Sequence, residues 1–574
     1  MAQFTRQYHE RRLEDLKTDR MYYESLWTEY DKFLVPGRLR LIERNKSPEN
    51  KYANIVDETA LLAYRTLRAG MQSGLTSPAR PWFNLSTYDP ELKDFGPAKT
   101  NLFQRQTRMR QAMSSSNIYN VFMSGYGDLG QFGQEASLLV PDDVSIFRLI
   151  PILTGQYWIA QNHRGRVDTL YRKLIMTVEQ VVGRFVVKAD GSMDWSTVSD
   201  TVHRMWDTGN KNEPVVICHA VEPRMDRQYG KMDKPNKPFA SNYWEEGYGK
   251  DVLLEESGFI YNPILAPRWE TVGEDVYGSH HPGDISLPGV KALQVMEKRH
   301  GIAVHKKVDP PMTGPTALRN NGSSTLPGSI TYVDAVGQQA GFRPAMEVNI
   351  DLSHLDEKIN QRQRTVDRCW YADLFMAITQ MEGIQPKNVF ELTARKEEQL
   401  LQVGPMVERQ HHEKLNPFVT GVHHIMEEAG MFDPMPEEVK QSGFKIEYVS
   451  ILAQAQKAIS TGAIERVLSF AGNLAGIKPE IMDKIDTDQS IDEYADAVGA
   501  PPTIIRSDDD VAADRQARQQ AQQQAAQAEM AAKVAPAIRD GAQAAKLLSE
   551  AGTVRGDSSL VSSSDLLSRL GIAG

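Results

Sequence analysis

The sequence predicts a mainly α-helical protein with one mixed α+β region, organised as several folding units. Three observations carry that expectation. Long stretches repeat apolar residues at three- and four-residue spacing, as one face of a helix requires. From about residue 141 the pattern switches to period two, as a half-buried strand requires. A chain of 574 residues also exceeds what one hydrophobic core organises, which suggests about three or four units.

Taken in order, residues 4–33 carry charges punctuated by Leu13, Leu16, Leu26, Trp27, Tyr30 and Phe33, an amphipathic helix ended by Pro36-Gly37. Leu61, Tyr64, Leu67 and Met71 mark a second helix. Gly74 and Pro78 stop it, and Trp82, Phe83 and Leu85 form a strand-like exit. Residues 99–140 read as a helical pair broken or capped at Ser116-Asn117. Tyr157, Ile159, Val167, Thr169, Tyr171 and Lys173 alternate around a turn at Asn162–Gly165, a β-hairpin. Thr177 with Gln180 is a capping-box pair for a helix through Phe185. Val215–Val221 and Gly258–Pro267 read as further strands, so residues 141–280 are mixed.

Residues 286–307 return to helix, opened by Ser286 and Pro288 and stopped by Asp309-Pro310-Pro311. Residues 309–350, rich in Pro, Gly, Asn and Ser, read as a small loop-rich domain. Ser353 with Asp356 caps a long helix to about residue 381, a rod of about 45 Å with a stripe from Leu352 and Leu355 to Ile378 and Met381. Residues 391–430 form another helical stretch, interrupted at Gly404-Pro405, and residues 445–500 read as short helices. From Val511 to about Glu550 the chain is rich in Ala and Gln, which favour helix but cannot build a core alone. The last twenty-four residues read as loose.

Composition narrows the function classes. The formal charge is −10, whereas a protein that reads DNA by gripping phosphates is basic. Two cysteines, Cys218 and Cys369, are too few for a disulfide framework or a thiolate zinc site, and their contexts suggest packing. The N-terminal residues have no apolar signal-peptide core, and no run reaches the roughly 18 apolar residues of a membrane span. An intracellular, membrane-free protein is expected.

Motifs for catalysis are few. There is no phosphate-binding loop, since GYGKD at 247–251 lacks the spacing, and no G-x-S-x-G nucleophile turn. Glu297-x-x-His300 and Glu408-x-x-His411 match the ligand pairs of a di-iron helical bundle. Both runs are polar all round, so solvated helix faces that match by chance are the stronger reading. His280-His281 and His423-His424 are adjacent and diverge on a helix, and His423 with Glu427 reads as a surface i,i+4 pair. Asp508–Asp510 suit the first turn of the Ala/Gln helix.

Several long collinear segments carry a resemblance. LRAGMQSGLTSPARPWFNL (67–85), SNIYNVFMSGYGDLGQFGQEASLLV (116–140), GRVDTLYRKLIMTVEQVVGRF (165–185), ICHAVEPR (217–224), APRWETVGEDVYGSHHPGDISLPGVKAL (266–293) and GAPPTIIRSDDDVAADRQARQQ (499–520) resemble the portal, or head-to-tail connecting, proteins of short-tailed double-stranded DNA phages. The likeness runs over about residues 5–530.

That resemblance implies a portal fold of wing, stem, clip and crown or barrel, in a ring that is a dodecamer in the family. It implies a helical and α+β wing over 1–285, stem helices at 286–307 and 351–381, and a clip at 308–350. A tunnel loop at 382–391, a C-terminal wing and crown at 392–500, and a crown or barrel helix with a flexible tail at 501–574 complete it. The implied function is a virion head-tail connector at a capsid vertex. Double-stranded DNA passes through its channel during packaging and ejection, with no catalysis and no cofactor. The implied partners are the terminase large subunit, a tail adaptor, and the major capsid and scaffolding proteins. Lys387 is the leading candidate for touching phosphates in the channel, with Arg395 and Lys396 behind it. The competing readings are another virion ring such as a tail adaptor, a di-iron bundle enzyme, or a DNA-binding regulator.

Overall fold

The computed structural model describes residues 4–41, 52–89, 96–188, 190–231, 233–309, 312–313, 343–344, 351–379, 404–449, 464–473, 486–498, 511–527 and 546. The chain divides into two compact units, one of residues 1–93 and 98–499 and the other of 94–97 and 500–574.

The first unit opens with helix α1 (Arg6–Phe33), capped by the Thr5 hydroxyl, which accepts from the Tyr8 amide at 3.2 Å. Its Leu13 and Leu16 pack on Trp158, Tyr171, Cys218, Ala220 and Trp244 of the main sheet. Cys218 is thus a core residue, as its apolar context predicts. Helix α2 (Thr59–Leu75) leads to strand β1 (Phe83–Thr87), and helices α3 (Gly96–Ser115) and α4 (Ile118–Phe132) meet at the predicted Ser116-Asn117 break.

The helical reading of 99–140 fails at its end: Ala136–Asp142 is strand β2, not helix. Its run ASLL is buried on both sides, so its apolar residues do not alternate, and periodicity cannot separate such a strand from a buried helix. Strand β2 pairs antiparallel with β3 (Ile146–Ile152) and with β9 (Ile264–Leu265).

The main sheet is an antiparallel meander of β4 (Tyr157–Gln161), β5 (Val167–Thr177), β6 (Pro214–Pro223), β7 (Phe239–Glu245) and β8 (Glu255–Phe259). The predicted hairpin and the 215–221 strand are present. The single strand expected over 258–267 is instead two, β8 and β9, belonging to different sheets. Strand β7, unrecognised in the sequence, reads FASNYWE and is buried at six of its seven positions. Its polar members are satisfied inside: Ser241 Oγ lies 3.0 Å from His219 Nε2, and Asn242 Nδ2 lies 2.9 Å from His9 Nε2.

The Thr177–Gln180 capping box forms as predicted, on the short helix α5 (Val178–Val181) that runs into a π turn, Val182–Val186. With helix α6 (Asp200–Asp207) this segment closes a small core of Val178, Val182, Val186, Val202 and Ile217.

Helix α7 (Pro282–Val308) begins four residues before the expected start. Its cap is His281, and Pro288 sits inside it, leaving the Asp284 carbonyl without its helical donor. Beyond it, only β10 (Met312–Thr313) and β11 (Arg343–Pro344) of the loop-rich segment are described, paired antiparallel.

The single long helix of 351–381 is two. Helix α8 (Ser353–Cys369) stops at Trp370, Tyr371 takes a positive φ of 55°, and helix α9 (Ala372–Thr379) follows. The rod is therefore about 25 Å long rather than 45 Å. Ser353 does not cap it, since its hydroxyl and amide both turn to Asp351 Oδ1.

Residues 404–410 are helical, pass through a π turn at His411–Leu415, and continue as helix α10 (Asn416–Glu428). Helix α11 (Glu437–Ser442) precedes strand β12 (Phe444–Tyr448), where short helices were expected. Strand β12 pairs with β1, so a segment near residue 85 finds its partner more than 350 residues later. Residues 464–473 and helix α12 (Thr487–Val498) fit the helical expectation. In the second unit, residues 511–527 form the expected Ala/Gln helix, with nearly every side chain exposed.

Candidate functional site: the α7–α8 pair and its anchor

Helices α7 and α8 run antiparallel. Trp370 Nε1 donates to Ser286 Oγ at 2.9 Å at one end, and His300 Nε2 meets Asp356 Oδ1 at 3.1 Å at the other. Gly289 lies between: a Cβ built on it would stand 3.7 Å from Val366, so the helices approach closely there without strain. Side-chain amides, that of Gln294 buried, tie the pair to the segment just before α2. Gln294 accepts from the amides of Val56 and Asp57 at 2.6 and 2.9 Å, and Gln363 donates to Asp57 Oδ2 at 2.8 Å.

The pair also rests on α1. The Tyr30 hydroxyl donates to Asp284 at 2.9 Å, and Lys291 meets Glu29 at 2.6 Å. At the head of α7, His281 Nδ1 accepts from the Asp284 amide at 3.3 Å, and burial lowers its pKa to about 4. Nδ1 also lies 3.2 Å from the Gly130 carbonyl, so the cap forms only in the neutral tautomer whose Nδ1 carries no proton, and an Nδ1–H donates to Gly130 instead.

Above the pair, buried charges hold the C-terminal helices to the sheets. Arg268 is 1% exposed. Its guanidinium makes a two-pronged contact with Glu413 at 2.6 and 3.3 Å and also donates to Gln161 Oε1 at 2.8 Å and to the Gly165 and Val276 carbonyls. Lys414 is fully buried, ion-paired with Glu135, and lies 4.0 Å over the Tyr126 ring and 4.4 Å over the Phe122 ring. Burial lowers the Lys414 pKa and raises that of Glu135, each opposed by the partner charge. Arg38 reaches buried Asp128 with 2.6 and 2.8 Å contacts.

These placements correct two readings. The run 408–414 is not a solvated face, since Gln410 and Lys414 are wholly buried and Glu413 holds Arg268. His423 is not a surface residue: it is 3% exposed, lies 3.1 Å from Arg105 and packs on Phe432 and Phe444, with Glu427 at 3.7 Å. Burial lowers its pKa to about 4. The two Glu-x-x-His motifs do not meet. His300 pairs with Asp356, and His411 stacks on Tyr448 at 4.1 Å. Among the described residues no three His, Cys, Asp or Glu side chains converge on a metal-sized site.

Lys387, Arg395 and Lys396 lie outside the described residues, as do 382–391 and nearly all of 314–350. The structure instead exposes cations that were not singled out from the sequence: Lys298, Arg299, Lys306 and Lys307 on α7, and Lys358, Arg362, Arg364 and Arg368 on α8. The i,i+4 spacing of 358/362 and 364/368 was the available signal.

The antiparallel α7–α8 pair is set on a helical and α+β body. The model of the bacteriophage head to tail connecting protein family matches residues 6–505, and the chain belongs to that family. It is a head-to-tail connector. The portal protein of Salmonella phage epsilon15 is 39% identical over 544 residues, 95% of each chain. A probable portal protein of Bordetella phage BPP-1 is 39% identical over 506 residues, covering 88% of this chain and 89% of its own. Among solved structures, a chain from the virion of a native gene transfer agent particle overlaps 60% of this chain and 72% of its own, at 9% identity and a TM-score of 0.27. No common fold follows from an overlap of that size.

Proposed function

We propose that the chain assembles into a ring, a dodecamer, at the capsid vertex of a virion, and that double-stranded DNA passes through its channel during packaging and ejection. It works as a conduit and docking platform rather than as an enzyme. The observation that carries this reading is the antiparallel α7–α8 pair, in a chain that belongs to the head-to-tail connecting family along most of its length. In that reading α7 and α8 are the stem, and 308–350 is the clip that meets the terminase large subunit during packaging and a tail adaptor afterwards. The wing meets the major capsid and scaffolding proteins, 382–391 forms the tunnel loop, and the helix at 511–527 belongs to a crown or barrel.

The acidity of the chain supports the same reading. Twelve copies at −10 give a ring charge of about −120. A wall that mostly repels phosphates keeps DNA centred and mobile, because each tight cationic contact would have to break at every step. Lys387, with Arg395 and Lys396 behind it, supplies the few contacts that register the DNA. Electron microscopy of the purified full-length protein is the test. Rings with a central hole wide enough for duplex DNA are expected, and a closed oligomer without a channel would overturn the reading.

A further inference from the structure

The main sheet is charge-segregated along its strands. Because it is an antiparallel meander, the β4–β5 turn and the β6–β7 loop emerge at one end, and the β5–β6 and β7–β8 connections at the other. At the first end, residues 162–166 and 225–237 carry six cations against two carboxylates. At the other, residues 188–213 and 246–254 carry four cations against seven carboxylates. Lys188 at the acidic end is matched by Asp194 at 2.9 Å, and Arg224, just before the basic loop, by Glu256 at 2.9 Å. Among the described residues, none of the six cations at the basic end makes an ion pair. Arg164, Arg166, Lys231 and Lys234 are exposed, and Arg227 lies 4.4 Å over the Tyr229 ring.

The two basic segments are held in place. Asn162 Oδ1 accepts from the amides of Arg164 and Arg166 at 2.9 and 3.1 Å, and the Gly165 carbonyl accepts from buried Arg268 at 2.5 Å. In the loop, Asn236 Oδ1 accepts from the Gln228 amide at 2.9 Å while its Nδ2 donates to Asp233 at 2.6 Å. Two strand spacings, about 10 Å, separate the turn from the loop. Arg166 also forms one lip of a cleft of about 310 Å³ whose far wall is α10 and the π turn before it. His412, Asn416, Thr420 and His424 recur there at every fourth residue, a polar stripe of about 18 Å. Glu413 lines the cleft as well, but Arg268 already holds its carboxylate.

We propose that this end of the sheet binds the phosphate backbone of duplex DNA, as a contact separate from the channel. The proposal goes beyond the conduit reading, since its residues lie on the sheet and α10, not on the α7–α8 pair and not among Lys387, Arg395 and Lys396. Unpaired cations on an otherwise acidic chain concentrate a positive field in one place. They suit phosphates, which recur along a duplex and need no fixed fork of donors, so the contact positions DNA without reading its sequence. The cleft adds neutral donors: Asn416 Oδ1 takes the Tyr448 hydroxyl at 2.6 Å, which leaves its amide hydrogens for a ligand. An acidic protein is the weaker choice, because a protein interface closes around an apolar centre, and here the cleft wall is polar and Arg227 covers the Tyr229 ring.

The test uses full-length protein and a relaxed, closed circular plasmid, which cannot be threaded through a closed ring. Binding is measured between 50 and 200 mM salt, and sedimentation velocity of the same samples reads ring assembly separately. Affinity is expected to fall about a thousandfold over that range, as six phosphate contacts require. R164A/R166A/K231A/K234A is expected to weaken plasmid binding at least tenfold at 50 mM salt. It should also flatten the slope of log affinity against log salt by about 3 to 4, with rings and the circular dichroism melt unchanged. K188A/K211A, at the acidic end, is expected to bind as the parent does. No plasmid binding by the parent, or undiminished binding by the quadruple variant, would overturn the proposal while rings in the same samples leave the conduit reading standing. An equal loss in K188A/K211A would overturn the assignment to this end of the sheet. Poly-glutamate bound as tightly as plasmid at equal charge would overturn the choice of DNA in favour of an acidic protein.

Discussion

Arg268 shows how much of this fold hangs on single side chains. It is wholly enclosed, and its guanidinium reaches Glu413 on the π turn, Gln161 on β4, the turn at Gly165 and the Val276 carbonyl. Removing one member of a buried pair costs about 3–5 kcal/mol, and here it would leave Glu413 with only the longer 3.5 Å contact to Arg409. Arg268→Ala is therefore expected to lower the unfolding free energy by that amount in chemical denaturation. A loss under about 1 kcal/mol would show that water reaches Glu413 and that the contact does not anchor the C-terminal helices.

Nearby histidines give the molecule an acid sensitivity. Burial holds His281, His411 and His423 at about 4, and holds His219 well below its usual value, with Arg172 adding to the shift. His219 accepts from Arg172 Nε at 3.0 Å through Nδ1, so it must be neutral. A folded-state pKa below the unfolded value of about 6.5 means that the unfolded chain binds more protons in between. The stabilisation is complete above about 6.5 and is lost as pH falls below it. The raised carboxyls of Asp128 and Glu135 act in the opposite sense, so a single variant makes the cleaner test. His219→Gln is expected to flatten the pH dependence of stability between about 6 and 5 by up to about 1.4 kcal/mol per pH unit. An unchanged slope would mean that His219 does not titrate there.

At the scale of the element, close helix packing selects glycine at some positions and not at others. On α2, a Cβ at Gly70 would stand 2.2–2.4 Å from Phe375 of α9, including its Cβ, whereas Gly74 has nothing within 4 Å. Gly70→Ala is expected to destabilise the protein by about 1–3 kcal/mol through overpacking. Gly74→Ala should be neutral or stabilising by up to about 1 kcal/mol, from helix propensity alone. Thermal melts of both variants check the opposite signs. The sequence reads Gly74 as a helix stop, yet α2 runs on to Leu75, and the spacing of α2 says nothing about which side meets α9. The same blindness explains the unbroken rod expected over 351–381. Its apolar stripe continues through Trp370, but Trp370 is held by Ser286 and Tyr371 turns to positive φ, a tertiary demand that overrides local periodicity.

At the scale of the whole molecule, the expectation concerns DNA. Lys387→Glu is expected to impair packaging or retention of DNA while rings seen by electron microscopy stay intact. Normal packaging by that variant would remove Lys387 from the channel.

By itself the sequence determined the helices and hairpins whose signals are local. These include α1, α2 and the break between α3 and α4, the turn between β4 and β5, and the Thr177 capping box. Its long collinear segments also determined the family. It equally showed an acidic chain without nucleotide-binding or nucleophile motifs. Only the tertiary structure decided what depends on residues far apart: the pairing of β1 with β12, the polar strand β7 satisfied by His9 and His219, and the burial of Lys414 and His423 in runs that look solvated. The physical reason is the same each time. Hydrogen-bonded turns and caps are written within a few residues, whereas a buried charge or a two-sided strand is stable only when its partner arrives from elsewhere in the chain.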